Sequence, residues 1–474
     1  MKIPFDSVNS FPPADEKEAD LMLAEELALS DKKIVVLDDD PTGVQTVHDI
    51  SVYTAWDEKS MLEGFLEDRP LFYVLTNSRG LTKAETAKMH HDAAKAAAAA
   101  AESTGKDYFF ISRSDSTLRG HFPDETEILA EEYEKATGRI IDGEVICPFF
   151  PEGGRYTLNN IHYVRYGDEL VPACETEFAK DKTFGYTALT MPEYVEEKTA
   201  GRYKAEDVVC ISLEDIRGKC YDKIKEQLRG VENFGKIIVN AVCYADLKIF
   251  CALLYAVMRE GKTFMFRSAA GLVKVMGGIS DRPLLTGEEM VQAGNGNGGV
   301  IVIGSHTAKT TAQLENLKTV PGIRFIELDA SLVKDFPAFE KETARCIAEE
   351  EACIRAGQTV CCYTTRTLIT ADTGDAEDEL KLSVKISDAV QSLVGRLTVT
   401  PSFIIAKGGI TSSDVGTKAL GVKRADVLGQ ILAGVPVWKT GSESRFPGIP
   451  YVIFPGNVGG DSALKEAVQV FIGQ

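Results

Sequence analysis

The sequence is short of the features that mark several large protein classes. Ten cysteines and six histidines occur in 474 residues, and no two cysteines take the Cys-x-x-Cys spacing. That absence argues against a structural zinc site and leaves reduced, buried thiols as the reading of Cys346, Cys353 and the adjacent Cys361 and Cys362. No uninterrupted apolar run approaches the roughly 20 residues of a membrane span. Met1 to Asp20 is polar, acidic and proline-bearing, unlike a secretory signal. Positive charge is scarce: 52 Lys and Arg stand against 71 Asp and Glu, a net charge of −19. Nucleic acid and anionic membrane are therefore poor partners. A cytoplasmic enzyme is the expectation, and any anionic substrate must find a locally basic pocket.

Two nucleotide signatures fail on placement. Gly294, Gly296 and Gly299 satisfy Gly-x-Gly-x-x-Gly, but the motif precedes an apolar run at 300–303 instead of following a strand. It reads as part of a linker over 286–299, flexible by composition. Gly261-Lys262-Thr263 lacks the earlier glycine of a Walker A loop, since position 256 is Ala256. No internal repeat is evident.

What is present is a soluble globular composition, 44% hydrophobic and 26% charged, in a chain too long for one core. Short apolar runs at 34–37, 50–53, 71–75 and 108–111 alternate with helical text at 58–67, 83–102 and 124–136. The alternation predicts parallel α/β architecture. Six consecutive alanines, Ala96 to Ala101, make the second helix strong on propensity alone. Helical periodicity fades over 147–204, where Pro, Gly, Tyr and Thr suggest a loop-rich insertion. Strands return at 208–211, 237–239 and 263–266, with a helix at 246–259. After the linker, strands are predicted at 300–303, 324–328, 359–364, 403–406, 435–438 and 451–454. The last helix presents Leu464, Ala467, Val468 and Phe471 on one face. The expected fold is α/β, two α/β domains with mainly parallel sheets: residues 1–290 and 298–474.

The most informative stretch is Val36-Leu37-Asp38-Asp39-Asp40-Pro41-Thr42-Gly43. Carboxylates at the carboxyl end of a parallel strand sit where open sheets place ligands. Three adjacent acids repel one another, and a plain turn does not need them. They suit a metal, a substrate hydroxyl, or both. Three more polar loops follow predicted strands: Thr76-Asn77-Ser78-Arg79-Gly80, the run from Ser112 through Asp115 to His121, and Pro148 to Arg155. A parallel sheet would gather all four on one rim. Arginine forks suit carboxylate or phosphate, and Asp and Ser suit hydroxyls, so the set fits a polyhydroxy acid. His121 is a weaker substrate candidate. In the second half, Gly304-Ser305-His306-Thr307, Lys407 to Asp414 and Pro455 to Asp461 are glycine-bearing turns into helical text. Bare backbone and free amides at helix starts favour phosphate. Three such turns together point to a nucleotide site, with His306 read as a polar turn residue.

These loops resemble the four-carbon acid sugar kinase family. The family's Asp-Asp-x-Thr-Gly is matched by Asp39 to Gly43, its Asp-Ser-Thr-Leu-Arg-Gly by Asp115 to Gly120, and its Phe-Pro-x-x-Gly-Arg by Phe150 to Arg155. A Glu-Thr-x-Phe-Ala-x-Asp stretch is matched by Glu175 to Asp181. In the second half Gly304-Ser305, Gly408 to Thr411 and Pro455 to Gly459 match Gly-Ser, Gly-Gly-x-Thr and Pro-x-Gly-Asn-x-Gly. Many members carry an acid after the glycine pair, where this chain has Ile410. The resemblance spans nearly the whole chain, in order. It implies an ATP-dependent kinase acting on an acid such as threonate, erythronate or a 3-oxo-tetronate, with Mg²⁺ accompanying ATP. The first domain would hold the acid through Asp40, Thr42, Ser78, Arg79, Ser116, Arg119 and Arg155. Asp39 or Asp115 would be the base, and the metal ligands are left unassigned. Ser305, Gly408, Gly409, Ile410, Thr411, Gly456 and Asn457 would hold ATP, and domain closure would complete the site. The expected partners are small molecules, with a homodimer left open. The alternatives are an NAD-dependent hydroxyacid dehydrogenase and a non-catalytic sugar-acid sensor.

Overall fold

The structure, a computed structural model, describes residues 2–290, 295–370, 376–456 and 458–473. The chain forms two compact units, Met1–Thr46 with Ala55–Asp281, and Val47–Thr54 with Arg282–Gln474. Asn457 and Gly294 lie outside the described residues.

The first unit is built on parallel strands in the order Val209–Ile211, Gly235–Val239, Gly143–Cys147, Phe264–Ser268, Tyr108–Arg113, Lys33–Asp38, Leu71–Leu75. Lys33–Asp38 is buried along its whole length. That is why it reads as a continuous apolar run rather than an alternating one. From it the chain crosses first to Leu71–Leu75 on one side, then to Tyr108–Arg113 on the other. The crossovers diverge here, and such a switch point opens a crevice at the strands' carboxyl ends.

The Lys83–Thr104 helix starts at a Thr82–Glu85 capping box and ends at Gly105, whose φ of 67° is left-handed. Its Ala93, Ala97 and Ala100 are buried, and small side chains there let the Asp124–Thr137 helix pack closely. The stretch expected to be loop-rich is more ordered than its composition suggested. Arg155–Leu158, Ile161–Tyr166 and Glu169–Pro172 form antiparallel strands, joined at the edge by Ile3–Pro4. Met191–Lys198 adds a helix capped by Thr190 and Glu193.

The second unit carries a mixed sheet: Ile50–Tyr53, Arg424–Leu432, Val435–Thr440, Pro450–Phe454, Ile404–Lys407, Val300–Ile303, Val360–Thr364, Arg324–Leu328. The last five strands run parallel, and the first three join antiparallel. Val300–Ile303 lies between Val360–Thr364 and Ile404–Lys407, which makes a second switch point. The core beneath it includes Ile301, Ile303, Ile405, Val452 and Leu464. Of the predicted face of the final helix, Leu464, Ala467 and Val468 are buried and Phe471 is partly covered. Among the described residues, no helix is long and apolar enough to cross a membrane.

Candidate functional site

In the first unit the switch point is occupied by charge. Asp39 and Asp115 leave adjacent parallel strands, and the Asp115 amide donates to Asp39 Oδ2 at 3.2 Å. Pro41 to Gly43 then turn the chain: Asp40 Oδ1 accepts from the Thr42 amide at 2.8 Å and from its hydroxyl at 2.5 Å. A Cβ on Gly43 would overlap the Asp38 carboxylate, so this turn requires glycine. Asp38 is a support rather than part of the rim. Burial pushes its carboxyl up to about 8, although Arg113 lies 3.4 Å away.

The arginines divide into two kinds. Arg79 bridges the acids, pairing with Asp40 and, at 3.0 Å, with Asp115. Arg119 grips Asp115 through Nε at 2.9 Å and Nη2 at 3.2 Å. Arg113 pairs with Asp38 and stands 3.7 Å from Asp39 Oδ1. Arg267 reaches Glu125 at 3.5 Å and the Arg119 carbonyl at 3.1 Å. Arg155 differs. Among the described residues no carboxylate lies within ion-pair distance of it, its Nε is buried without a hydrogen-bond partner, and Nη1 donates to the Gly153 carbonyl. Burial lowers the Arg155 guanidinium from its usual range. The Phe178 ring lies 5.4 Å from it and 5.1 Å from Arg119, within cation–π range of both.

The two candidate bases also separate. Burial works to raise the Asp115 carboxyl. The charge of Arg79, the Arg119 fork and the Thr117 hydroxyl outweigh it and hold the group far below the usual carboxylate range. Asp39 is raised, by burial first, with Arg79 and Arg113 opposing. Its Oδ1 is buried with no hydrogen-bond partner.

The remaining predicted residues sit nearby. Ser78 Oγ donates to Glu125 at 2.8 Å. Ser116 is buried, and its carbonyl accepts from His162 Nε2 at 2.8 Å. His121 Nε2 lies 3.1 Å from the carbonyls of Ser78 and Leu81, so it pins the Ser78–Gly80 turn. Leu118 and Asn77 hold left-handed backbone, with φ of 73° and 51°, in the two loops that carry the arginines.

In the second unit the register aligns Ile303 with Lys407, and Lys407 with Phe454. The turns that follow therefore leave the sheet at one level. They converge closely: a Cβ on Gly304 would meet Thr411 Oγ1 at 2.5 Å, and one on Gly408 would meet Ser305 Cβ at 3.3 Å. Gly408 has φ 115° and ψ 146°, a conformation that only glycine adopts without strain. Gly409 and Gly456 face open space. Lys407 is fully buried; its Nζ donates to the Pro455 carbonyl at 2.6 Å and ties two turns together. Burial, then the charge of Lys309, pushes its ammonium down to about 7. Ile410 is 74% exposed beside these bare amides, an apolar surface of the kind a planar base covers. His306 lies on the first turn, its Nδ1 buried without a partner.

Residues 34–276 match a family model described as a sugar-binding N-terminal domain, and residues 300–464 match a nucleotide-binding C-terminal domain. The chain belongs to the four-carbon acid sugar kinase family. Two solved structures share its fold. A Salmonella typhimurium LT2 protein, provisionally named a tRNA synthase, is 17% identical with a TM-score of 0.64, covering 92% of this chain and 98% of its own. A Haemophilus influenzae protein labelled DUF1537 is 18% identical with a TM-score of 0.59, covering 92% and 100%. No curated protein matches the chain. Members of this kinase family thus pair a sugar-binding domain with a nucleotide-binding one, and the ligands are small molecules.

The sequence places Asp38 and Arg113 in the polar loops without giving either a role of its own, and it does not mark Glu125 or Arg267. Arg267 was findable, since it stands next to the end of the strand predicted at 263–266. Glu125 lies inside helical text and carried no such signal.

Proposed function

We propose that the protein is an ATP-dependent kinase that phosphorylates a hydroxyl of a four-carbon sugar acid of the threonate, erythronate or 3-oxo-tetronate type. The observation that carries this reading is Arg155. A desolvated guanidinium without a counter-ion is costly, and a substrate carboxylate would supply one. Arg79 and Arg119 are already neutralised by Asp40 and Asp115. They are better suited to orienting those acids, with Thr42, Ser78 and Ser116, toward substrate hydroxyls.

Asp39 is the base in this reading. A base should titrate near working pH and keep an acceptor available. Asp39 is raised and its Oδ1 accepts no hydrogen bond, with Arg113 3.7 Å away, whereas Asp115 is held anionic by three donors. Asp39 Oδ1 would take the hydroxyl proton as the oxygen attacks the terminal phosphorus.

The glycine turns fit a nucleotide. Gly409 and Gly456 leave room where side chains would intrude, and Ser305, Ile410 and Thr411 border the same turns. Asn457 stays a proposed contact on its sequence position alone. Among the described residues, no group of three or more His, Cys, Asp or Glu is arranged to hold a metal. That fits Mg²⁺ arriving on the phosphates rather than residing in a protein cage, where it would neutralise developing charge.

The test is an ADP-release assay over four-carbon sugar acids, run beside thermal shifts with ATP and NAD. Turnover with one acid, and stabilisation by ATP alone of the two nucleotides, is expected. Stabilisation by NAD, or by the acid with no ADP formed across the panel, would overturn the reading.

A further inference from the structure

The nucleotide-domain rim has a fourth loop that no motif marks. Val360–Thr364 is the parallel neighbour of Val300–Ile303, so residue 365 onward emerges beside the Gly304–Thr307 turn. Arg366 stands there. Its Nη2 donates to the Ser305 carbonyl at 2.6 Å and to Thr311 Oγ1 at 2.9 Å, and Nε reaches the same hydroxyl at 3.3 Å. These bonds fix the guanidinium against the turn and the first turn of the Ala308–Leu317 helix. Its Nη1 is buried and has no hydrogen-bond partner.

The electrostatics around Arg366 are one-sided. Among the described residues no carboxylate comes within ion-pair distance of it. Glu315 and Glu327 act on it only through space, and Glu315 is itself paired with Lys318 at 2.8 Å. Burial lowers the guanidinium from its usual range. His306, next in the turn, is pushed down by burial and by the charge of Arg366, so its ring is neutral at pH 7. Arg366 is therefore a cation without an ion-pair partner, held rigidly by neutral groups, in a chain of net charge −19. Its donor set matches a phosphate oxygen.

We propose that Arg366 is the phosphate-tail anchor of the nucleotide site, contacting a phosphate beyond the α position and so setting the preference for di- and triphosphates over the nucleoside. This rests on the kinase reading above. Its position agrees with the polarity of the rim. Exposed Ile410 lies on one flank of the Gly304–Thr307 turn, in the short Gly409–Asp414 helix after Ile404–Lys407, and Arg366 lies on the other, after Val360–Thr364. A nucleotide crossing the strand ends with its base toward Ile410 carries its phosphates toward Arg366.

The experiment titrates ATP and adenosine into the full-length protein and into Arg366→Gln and Arg366→Lys by calorimetry. Gln keeps an amide donor for the Ser305 carbonyl and loses the charge. Loss of one charged hydrogen bond predicts ATP affinity down by on the order of ten- to a hundredfold in Arg366→Gln. Adenosine affinity should be unchanged, and Arg366→Lys should recover part of the loss. Equal loss of ATP and adenosine affinity would make Arg366 a scaffold for the turn and overturn the inference. So would ATP affinity at the parent level in Arg366→Gln. If the parent protein itself binds no ATP, the kinase reading has failed first, which is a different result.

Discussion

Gly408 and Gly409 are neighbours, yet substituting each by alanine should give opposite signatures. Gly408 sits at φ 115° and ψ 146°. An L-residue there pays roughly 1–3 kcal/mol of backbone strain. The added Cβ would also lie 3.3 Å from Ser305 Cβ and 3.5 Å from Thr411 Oγ1, a tight fit. For a unit of this size each kcal/mol lowers Tm by roughly 2–4 °C, so Gly408→Ala should lose about 2–12 °C. Gly409 opens the Gly409–Asp414 helix, and nothing lies within 4 Å of a Cβ built on it. Gly409→Ala should therefore leave Tm unchanged or raise stability by about 0.4–1 kcal/mol, since alanine restricts the unfolded chain. Its methyl points into the space assigned to the nucleotide, so ATP affinity should fall while the fold strengthens. Differential scanning calorimetry, reading the second unit's transition, and isothermal titration with ATP measure both effects. A Tm loss in Gly409→Ala matching that of Gly408→Ala would refute the conformational argument. Parent-level ATP affinity in a stable Gly409→Ala would refute the placement of the ligand.

Three other outcomes are expected. Asp39→Asn should cut kcat by about 10²–10⁴-fold with ATP affinity unchanged, whereas Asp115→Asn should raise KM for the acid and lower Tm, because Arg79 and Arg119 lose their shared partner; steady-state kinetics with thermal melts would refute the assignment if the two variants behaved alike. Arg155→Met should raise KM for the acid by about 10–100-fold without lowering Tm, since it removes a partly buried charge that has no ion-pair partner; an unaltered KM would remove Arg155 from the site. Glu350 is fully buried beside the Cys362 thiol, and burial holds its pKa well above the usual range. The folded state thus keeps the proton longer than the unfolded one, so this contribution is complete below about pH 4.3, the free glutamate value, and is lost as pH rises above it. Glu350→Met should raise Tm more at pH 8 than at pH 5, and an equal shift at both would show that the group is not neutral in the fold.

Much of the architecture was legible because parallel strands buried on both faces are written as apolar runs. Leu71–Leu75 and Val300–Ile303 could be bounded from sequence for that reason. No strand is predicted over Arg424–Leu432, although Ala425, Val427, Gly429 and Ile431 alternate inward. Glycine at 429 broke the hydrophobic period at the place where the strand irregularity falls. Arg155–Leu158 and its neighbours hid in turn-rich text, since these antiparallel strands mix Tyr, Thr, His and Arg with their apolar residues and show no continuous apolar run. At the site, the polar loops were visible as clusters after apolar runs. Which arginine lacks a counter-ion was not, because Arg79 finds Asp115 36 positions away and only the folded sheet brings them together.

The passage of Val47–Thr54 into the second unit has a consequence for biosynthesis. Ile50–Tyr53 completes that unit's sheet by pairing with Arg424–Leu432, and Ser51 accepts from Arg424, 373 positions later. At ribosomal rates of about 5–20 residues per second, this strand waits roughly 20–75 s for its partner to be made. Its unpaired edge is exposed throughout that interval, and an open edge invites association with other chains. A fragment starting at residue 282 would face the same hazard permanently, with Arg424–Leu432 left as the open edge. The yield of folded protein should thus depend on how the early chain is shielded during synthesis.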